Sequence, residues 1–250
     1  MADPALVRRI EQAALWAWPP KEVRHLGGWL LRASGGLIRR TNSVQPLAFA
    51  GALEPAVAEA ERWYESRGIE PCFQIVETSQ PPQLDAALER AGWSVLTPSL
   101  VMTAPLLPAP LLAGRHAPEL LHRPTQAVMN ALCEPHWHDS QRRERMDILA
   151  RIRRPHRFAL ASVGGEPAAT GLAVVEGDLA GILAMRTQSR LRGTGLGRAV
   201  LARLLGWAAE QGAASAWLQV EEDNPPALAL YRRFGFETAY RYHYRVRPAD

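Results

Sequence analysis

The chain has 250 residues, 47% of them hydrophobic and 22% charged, with a formal net charge of +4 at pH 7. This composition is ordinary for a globular protein and supplies ample material for a buried core, in one large domain or two small ones. No apolar run reaches the roughly 18–20 residues that span a bilayer, and the N-terminus lacks a signal-peptide pattern, so we expect a cytoplasmic protein with no membrane segment.

The first half of the chain reads as alternating helices and strands that end in a proline-rich linker. The two cysteines, Cys72 and Cys133, are far apart, and we predict free thiols rather than a disulfide. Part of the stretch 100–118 is rich in Pro, Leu and Ala and is predicted as the linker. The predicted elements are a helix at 4–16, strands at 28–34 and 37–42, a helix at 54–67, a strand at 72–77, a helix at 83–90 and a closing strand that includes 100–103.

The second half repeats this alternation with more strands. Glycine pairs or Gly-Asp at 164–165 and 177–178 predict tight turns between antiparallel strands. We therefore predict an α+β fold with a mainly antiparallel sheet and flanking helices. The predicted elements are a strand at 119–123, helices at 125–132 and 140–152, strands at 158–163, 168–176 and 179–187, a helix at 199–209, a strand at 216–221, a further helix and a final strand at 239–247.

The two halves share a diverged internal repeat. Trp63, Gly68 and Val76 recur 144 residues later as Trp207, Gly212 and Val220. A constant offset across a helix, a strand and a second helix is better explained by duplication than by chance. We predict tandem domains of similar design, at residues 1–112 and 113–250.

A glycine-rich loop, residues 192–198, lies between a predicted strand and a predicted helix. Such a turn directs several backbone N–H groups toward one point, and the helix N-terminus adds partial positive charge, so the loop suits a diphosphate. A P-loop is excluded because the chain has a single lysine, Lys21. A dinucleotide-binding loop is disfavoured by the spacing and by the late position in the chain. A purely structural turn before a helix remains an alternative.

Two motifs in the second half resemble those of the GNAT acetyltransferase superfamily. The first is Arg192-x-x-Gly195-x-Gly197, which is similar to the acetyl-CoA loop of that family. The second runs from Leu218 through Asn224 and Tyr231 to Gly235 and Phe236. Their order and separation make the combined signal strong over roughly residues 114–250. The resemblance implies acetyl transfer from acetyl-CoA, without a metal, to a small-molecule or protein amine.

The resemblance also implies which residues bind the cofactor. Backbone groups at the end of the strand before the loop would pair with the pantetheine arm, and one N–H there would polarise the thioester carbonyl. Asn224 would hydrogen-bond pantetheine, although capping of the following helix is a competing interpretation. The predicted cofactor-binding residues are Met185, Arg186, Thr187, Arg192, Gly193, Thr194, Gly195, Leu196, Gly197, Arg198 and Asn224.

The predicted catalytic residues are Tyr231 and Glu221. A phenol with a pKa of about 10 is well matched to a CoA thiol, so Tyr231 is the candidate general acid, with core packing as the alternative. Residues 181–187 contain no carboxylate that could act as a direct base. Glu221, or its neighbours Glu222 and Asp223, could act through water, or could simply be surface carboxylates.

In the first half, the stretch Gly27-Gly28-Trp29-Leu30-Leu31-Arg32…Arg39-Arg40-Thr41-Asn42-Ser43-Val44-x-Pro46-Leu47 resembles the N-terminal half of two-part bacterial GNAT proteins. The first half has no counterpart of the glycine loop, and Gln80 occupies the position that matches Asn224. Ala87 or Leu88 occupies the position that matches Tyr231. We interpret the first half as a GNAT-like domain that has lost the cofactor site and that shapes the acceptor site or stabilises the pair.

Several alternatives stay open at this stage. His136 and His138 would make only a weak metal site, and their segment is as easily a wall of the substrate pocket. The arginines of 142–154 are expected on a solvated helix face, which makes nucleic acid an unlikely partner. A CoA-binding regulatory or scaffold protein is the alternative to an enzyme, a nucleic-acid-directed acetyltransferase is a weaker one, and a homodimer is left open.

Overall fold

The computed structural model describes residues 3–106, 117–133 and 136–247. The proposed domain boundary between residues 112 and 113 lies outside these residues. The first half contains α1 (Pro4–Ala17), β1 (Glu22–Leu26), β2 (Trp29–Ala33), β3 (Val44–Gln45), α2 (Leu53–Glu65), β4 (Cys72–Val76), α3 (Leu84–Arg90) and β5 (Ser94–Pro105). The second half contains β6 (Glu119–Leu121), α4 (Gln126–Leu132), α5 (Asp139–Ala150), β7 (His156–Val163), β8 (Glu166–Glu176), β9 (Leu179–Thr187), α6 (Leu196–Glu210), β10 (Ser215–Glu221), α7 (Pro225–Arg232) and β11 (Glu237–Val246).

The described strands form a single sheet of 11 strands in the order β1-β2-β3-β4-β11-β5-β10-β9-β8-β7-β6. All neighbouring pairs are antiparallel except β3–β4 and β9–β10. Helices cover both faces of the sheet, which confirms the predicted α+β class. Most predicted elements are present within a few residues of their predicted bounds.

The final strands of the two halves are exchanged in this sheet. The repeat offset relates β4 to β10 and β5 to β11. However, β11 pairs with β4 of the first half, and β5 pairs with β10 of the second half. The two exchanged strands also pair with each other. Each half of the chain therefore supplies a strand that completes the ladder of the other half.

One predicted strand, at 37–42, is wrong. This segment is a bend followed by a short 3₁₀ turn at Arg39–Thr41. The strand β3 comes after it and has two residues. The carboxylate of Glu144, from α5, accepts hydrogen bonds from the backbone N–H groups of Gly35 and Leu37 at 2.9 and 3.0 Å. The carboxylate thus accepts the backbone hydrogen bonds that a neighbouring strand would accept if this segment were a strand. We call residues 35–42 the arginine loop, because they carry Arg39 and Arg40.

Strand β1 was not predicted from the sequence. It forms an antiparallel hairpin with β2 through a turn at Gly27 and Gly28, whose φ angles of 57° and 96° suit glycine. Its side chains are mixed in polarity and largely exposed, as is common for an edge strand, so they give no clear alternating pattern.

The largest group of buried apolar residues spans the two halves. Helix α1, from the first half, packs on β8 and β9 of the second half. Val7 and Ile10 of α1 are completely buried in the same cluster as Ile148 of α5 and Phe158 of β7. Because apolar burial is the main favourable term in folding, this shared core couples the halves energetically.

Cys72 and Cys133 are both free and buried, as predicted. No helix in the described ranges is sufficiently long and apolar to cross a membrane.

Candidate functional site

Strands β9 and β10 separate before they end. They are paired in parallel from Leu179–Ser215 as far as Ile182–Leu218. Beyond this point β9 continues to Thr187 without pairing to β10. A shift of register against β8 falls in the same region, where Ala184 has a φ of 52°. A bulge bends its strand and increases the twist, so it accounts for the gap that opens between the two strands.

A cavity of about 580 Å³ occupies this gap and extends between the two halves of the chain. Its volume lies within the range typical of small-molecule sites. The second half contributes residues of β9, β10, α7 and β11, together with Trp137 and Arg145 near α5. The first half contributes Trp18, residues 37–40 of the arginine loop, Thr97 and Ser99.

The glycine loop joins β9 to α6 and is exposed to solvent. Gly193 and Gly195 have φ angles of 77° and 91°, which glycine adopts without strain, and open space lies where their side chains would be. Gly197 is more enclosed, because a Cβ there would lie 3.3 Å from Thr187 Oγ1. The glycines therefore expose the turn to a ligand and bring α6 close to β9.

None of the six backbone N–H groups from Gly193 to Arg198 donates a hydrogen bond to another atom of the described residues. No side chain caps α6, and its N-terminal residue Leu196 contributes only its backbone because its side chain is buried. The hydroxyl of Thr194 already donates to Leu191 O at 2.7 Å, whereas the side chains of Arg192 and Arg198 are exposed. Uncompensated amides at a helix N-terminus form an anion-binding position.

The structure separates the predicted cofactor-binding residues into two groups. Met185 and Arg186 line the cavity. Thr187 and the glycine loop lie just beyond it, on the continuation of β9. The side-chain oxygen Oε1 of Gln219, a cavity residue that sequence reasoning missed, is buried without a hydrogen-bond partner in the described residues. This oxygen lacks a hydrogen-bond donor, and an amide N–H of a pantetheine arm is such a donor.

Tyr231 lies on α7 and lines the cavity. Its side chain is only 7% exposed, its ring packs edge-to-face on Phe236, and its hydroxyl makes no hydrogen bond to a described residue. Burial raises the pKa of Tyr231 to about 12. The phenol is thus a weaker acid than the ordinary pKa of about 10 on which the match to a CoA thiol was predicted.

Asn224 caps helix α7 and also lines the cavity. Its Oδ1 accepts a hydrogen bond from Ala227 N at 3.2 Å, so the capping interpretation is correct. Its Nδ2 donates to no described residue. The same side chain can therefore cap the helix and donate to a ligand in the cavity.

The three candidate carboxylates after β10 have different positions. Glu221 lines the cavity, and it is the one carboxylate among the described lining residues. Glu222 lies outside the cavity and forms an ion pair with Arg241 at 3.0 Å. Asp223 is exposed and does not line the cavity.

The helix α5 region lines the cavity through two residues. Trp137 is part of the wall, as one of the open interpretations of its segment predicted, and the guanidinium of Arg145 lies 3.9 Å from the centre of its ring. In contrast, Arg151 donates to Pro19 O and Arg154 pairs with Glu176 at 2.5 Å. The arginines of 142–154 therefore do not share one exposed face. Across the described residues, no three His, Cys, Asp or Glu side chains are grouped to hold a metal.

Sequence reasoning missed the cavity residues that come from the first half. Arg39 and Arg40 belong to the stretch that carried the first-half resemblance, but they lie in the half without a glycine loop. Trp18 Nε1 and Arg40 Nε are buried and have no hydrogen-bond partner in the described part of the chain. These donors are available to a ligand.

Comparison with known proteins gives a consistent result. A sequence model of the family described as "Probable histone acetyltransferase Rv0428c C-terminal" matches residues 4–245. The chain is 27% identical over 246 residues, 96% of its length, to the uncharacterized N-acetyltransferase YobR of Bacillus subtilis (strain 168), of which it covers 98%.

Two solved structures share the fold. One is a GCN5-related N-acetyltransferase from Kribbella flavida, with a TM-score of 0.72 and 19% identity over 97% of this chain and 95% of that one. The other is a tandem GNAT protein from the clavulanic acid biosynthesis pathway, with a TM-score of 0.66 and 15% identity over 96% of this chain and 89% of that one.

Proposed function

Because the chain belongs to the family described as probable histone acetyltransferase Rv0428c C-terminal, and is thus an acetyltransferase of the GNAT type, we propose that it transfers acetyl from acetyl-CoA to a primary amine by direct attack. The observation that carries this proposal is the gap between β9 and β10. It leads from the unpaired amides of the glycine loop to Tyr231 and Glu221.

The residues present fit acetyl-CoA. The free N–H groups from Gly193 to Arg198 and the exposed side chains of Arg192 and Arg198 would hold its diphosphate. Met185, Arg186 and Thr187 would pair through their backbone with the pantetheine arm. Gln219 Oε1 and Asn224 Nδ2 would complete the hydrogen bonds along it. When bound, acetyl-CoA supplies an activated acyl group with a thiolate as its leaving group.

Two side chains would handle the protons. Tyr231 would donate its phenolic proton to the departing sulfur, since its raised pKa keeps it fully protonated across the physiological range. Glu221 would accept a proton from the attacking amine, directly or through water, because it is the carboxylate that lines the cavity. The neutral amine can then attack the acyl carbon. A backbone N–H of the bulged segment around Ala184 would donate to the thioester carbonyl oxygen and so polarise that carbonyl.

The first half would not bind acetyl-CoA in the same way. The segment 144 residues before the glycine loop is already engaged in contacts within the first half. Ala50 N donates to Gly27 O at 2.7 Å, and the ring of Phe49 stacks on Trp29. Glu54 lies in the first turn of α2, at the position that matches Arg198. An acidic side chain there would repel a phosphate.

The test combines binding with turnover. Isothermal titration with acetyl-CoA is expected to give one site per chain, and CoA release across a library of primary amines is expected to identify an acceptor. Absence of acetyl-CoA binding, or binding at two sites, would contradict the proposal.

A further inference from the structure

We propose that the acceptor amine carries an anionic group, a carboxylate or a phosphate, which is held by Arg39, Arg40 and Arg145 in the cavity. This inference rests on the proposed acetyl transfer and names the chemical class of its acceptor. The arginine loop of the first half and helix α5 of the second half supply the binding groups together.

The first observation is the charge of the cavity. Among the described lining residues, four are arginines, at positions 39, 40, 145 and 186, and Glu221 is the one carboxylate. A cleft lined by one sign of charge concentrates ligands of the opposite sign. A cationic peptide or polyamine would meet several like charges before its amine reached Tyr231 and Glu221.

The second observation concerns Arg145. Its guanidinium lies on Trp137, and desolvation lowers its pKa, yet it forms no ion pair with a described carboxylate. The neighbouring Glu144 points both of its oxygens at the arginine loop. A desolvated charge is costly unless a counter-charge compensates it. An anionic ligand would supply this counter-charge.

The third observation is a pair of orphaned donors. Arg40 Nε and Trp18 Nε1 are buried without a hydrogen-bond partner, and the Trp18 side chain is only 7% exposed. Both atoms can only donate, so their partner must be an acceptor. Carboxylate and phosphate oxygens meet this requirement and form the stronger, charge-assisted hydrogen bonds with arginine.

The diphosphate of acetyl-CoA does not account for these groups. The glycine loop lies outside the cavity, beyond Thr187. It offers the diphosphate six free backbone amides together with the side chains of Arg192 and Arg198. Arg39, Arg40 and Trp18 belong to the opposite half of the chain and line the cavity itself. They are therefore assigned to the acceptor, and this gives the first half a function without a cofactor site of its own.

The experiment compares matched acceptors. The probes are 4-aminobutyrate and O-phosphoethanolamine, the matched amines 1-aminobutane and ethanolamine that lack the anionic group, the diamine 1,4-diaminobutane, and a lysine-rich peptide. Each is tested at equal concentration for CoA release with saturating acetyl-CoA, and for its effect on thermal stability without acetyl-CoA. The first two probes distinguish a carboxylate from a phosphate.

Three variants of the full chain accompany the probes. Arg40→Gln and Arg145→Gln remove a charge from the cavity. Arg143→Gln is the matched control, because Arg143 lies on the same helix as Arg145, is exposed and does not line the cavity. Each charge removal is expected to raise KM for the anionic acceptor by about 10- to 100-fold, the range for a hydrogen bond to a charged group, while the control changes nothing. Arg145→Lys should restore part of the affinity.

The outcomes separate this proposal from the proposed function. A preference for the acceptor with the anionic group, lost in Arg40→Gln or Arg145→Gln, supports the anionic-acceptor proposal. Thermal stabilisation by that acceptor also supports it when no turnover is found. Preference for the diamine or the peptide overturns it, as does an unchanged preference in both variants. The anionic-acceptor proposal is also overturned if acetyl-CoA binds and neither anionic probe does. Failure of acetyl-CoA to bind overturns the proposed function instead.

Discussion

The carboxylate of Glu144 accepts a hydrogen bond of 2.9 Å from the side-chain amide of Asn42, 102 residues earlier in the chain. The same carboxylate accepts from the backbone of Gly35 and Leu37. Both groups of this contact are buried, with exposures of 6% for Glu144 and 2% for Asn42. One side chain of the second half thus determines the conformation of the first-half loop that carries two cavity arginines.

Replacing Glu144 with glutamine should loosen this loop. The new amide cannot accept at both positions, so at least one partly or fully buried N–H loses its partner, and the free energy of unfolding should fall by about 1–3 kcal/mol. Urea denaturation measures the loss. Asp147→Asn is the control, because Asp147 is an exposed carboxylate on the same helix. Equal stability of the two variants would show that the contact contributes little.

A negative charge at the start of α6 should abolish cofactor binding. Gly195→Glu is expected to weaken acetyl-CoA affinity by about 100-fold or more, because like charges in contact cost several kcal/mol. Gly212→Glu is the matched control. Gly212 follows the other end of the same helix with a φ of 87°, close to the 91° of Gly195, and both positions have open space. Calorimetry that gave equal affinities for the two variants would assign the diphosphate elsewhere.

Removing the hydroxyl of Tyr231 should affect turnover rather than binding. Tyr231→Phe keeps the ring on Phe236, and kcat is expected to fall by roughly 10²–10⁴ with acetyl-CoA affinity nearly unchanged. The deficit should be smaller at low pH, where solvent can supply the proton. A variant that turns over at the parent rate would leave Tyr231 a packing residue, and a loss confined to acetyl-CoA affinity would make it a cofactor contact.

Stability should decrease above pH 10. The pKa of Tyr231 is raised from 10.0 to about 12, so the folded state holds its proton more tightly and the stabilisation is complete below pH 10 and lost as pH rises toward 12. Tyr231 alone should contribute about 1.4 kcal/mol of loss by pH 11. Burial raises the pKa of Tyr64, Tyr240 and Tyr244 as well and adds to the effect.

Urea denaturation at pH 9 and pH 11 measures this decrease. Tyr231→Phe should lose less stability over the interval than the parent protein does. The same loss in both proteins would indicate that the phenol already ionises at its ordinary pKa in the folded state.

The second half should not be stable alone. Residues 113–250 lack β5, which pairs with β10 on one side and β11 on the other, so both would be left with unpaired edges. The fragment is expected to aggregate, or to melt well below the full chain. Co-expression of 1–112 with 113–250 is the control, because it restores β5. A lone fragment with the stability and activity of the full chain would show that the first half is dispensable.

The sequence alone determined the features that depend on local chemistry. The glycine loop, the helix after it and the motif from Asn224 to Tyr231 are contiguous, and their conformations follow from glycine φ angles, capping and hydrophobic periodicity. The repeat was visible for the same reason, because duplication preserves spacing along the chain. These features predicted the fold class and the family.

Only the tertiary structure decided how the halves combine. No local pattern distinguishes β5 paired within its own half from β5 paired with β10, since register and partner depend on contacts far apart in the chain. The strand predicted at 37–42 is lost for the same reason, since Leu37 bonds to Glu144, 107 residues away. The sequence placed Arg145 on a solvated helix face and assigned no role to Arg40. Only packing brings both to one cavity, where the Arg145 guanidinium is desolvated and Arg40 Nε has no hydrogen-bond partner in the described residues.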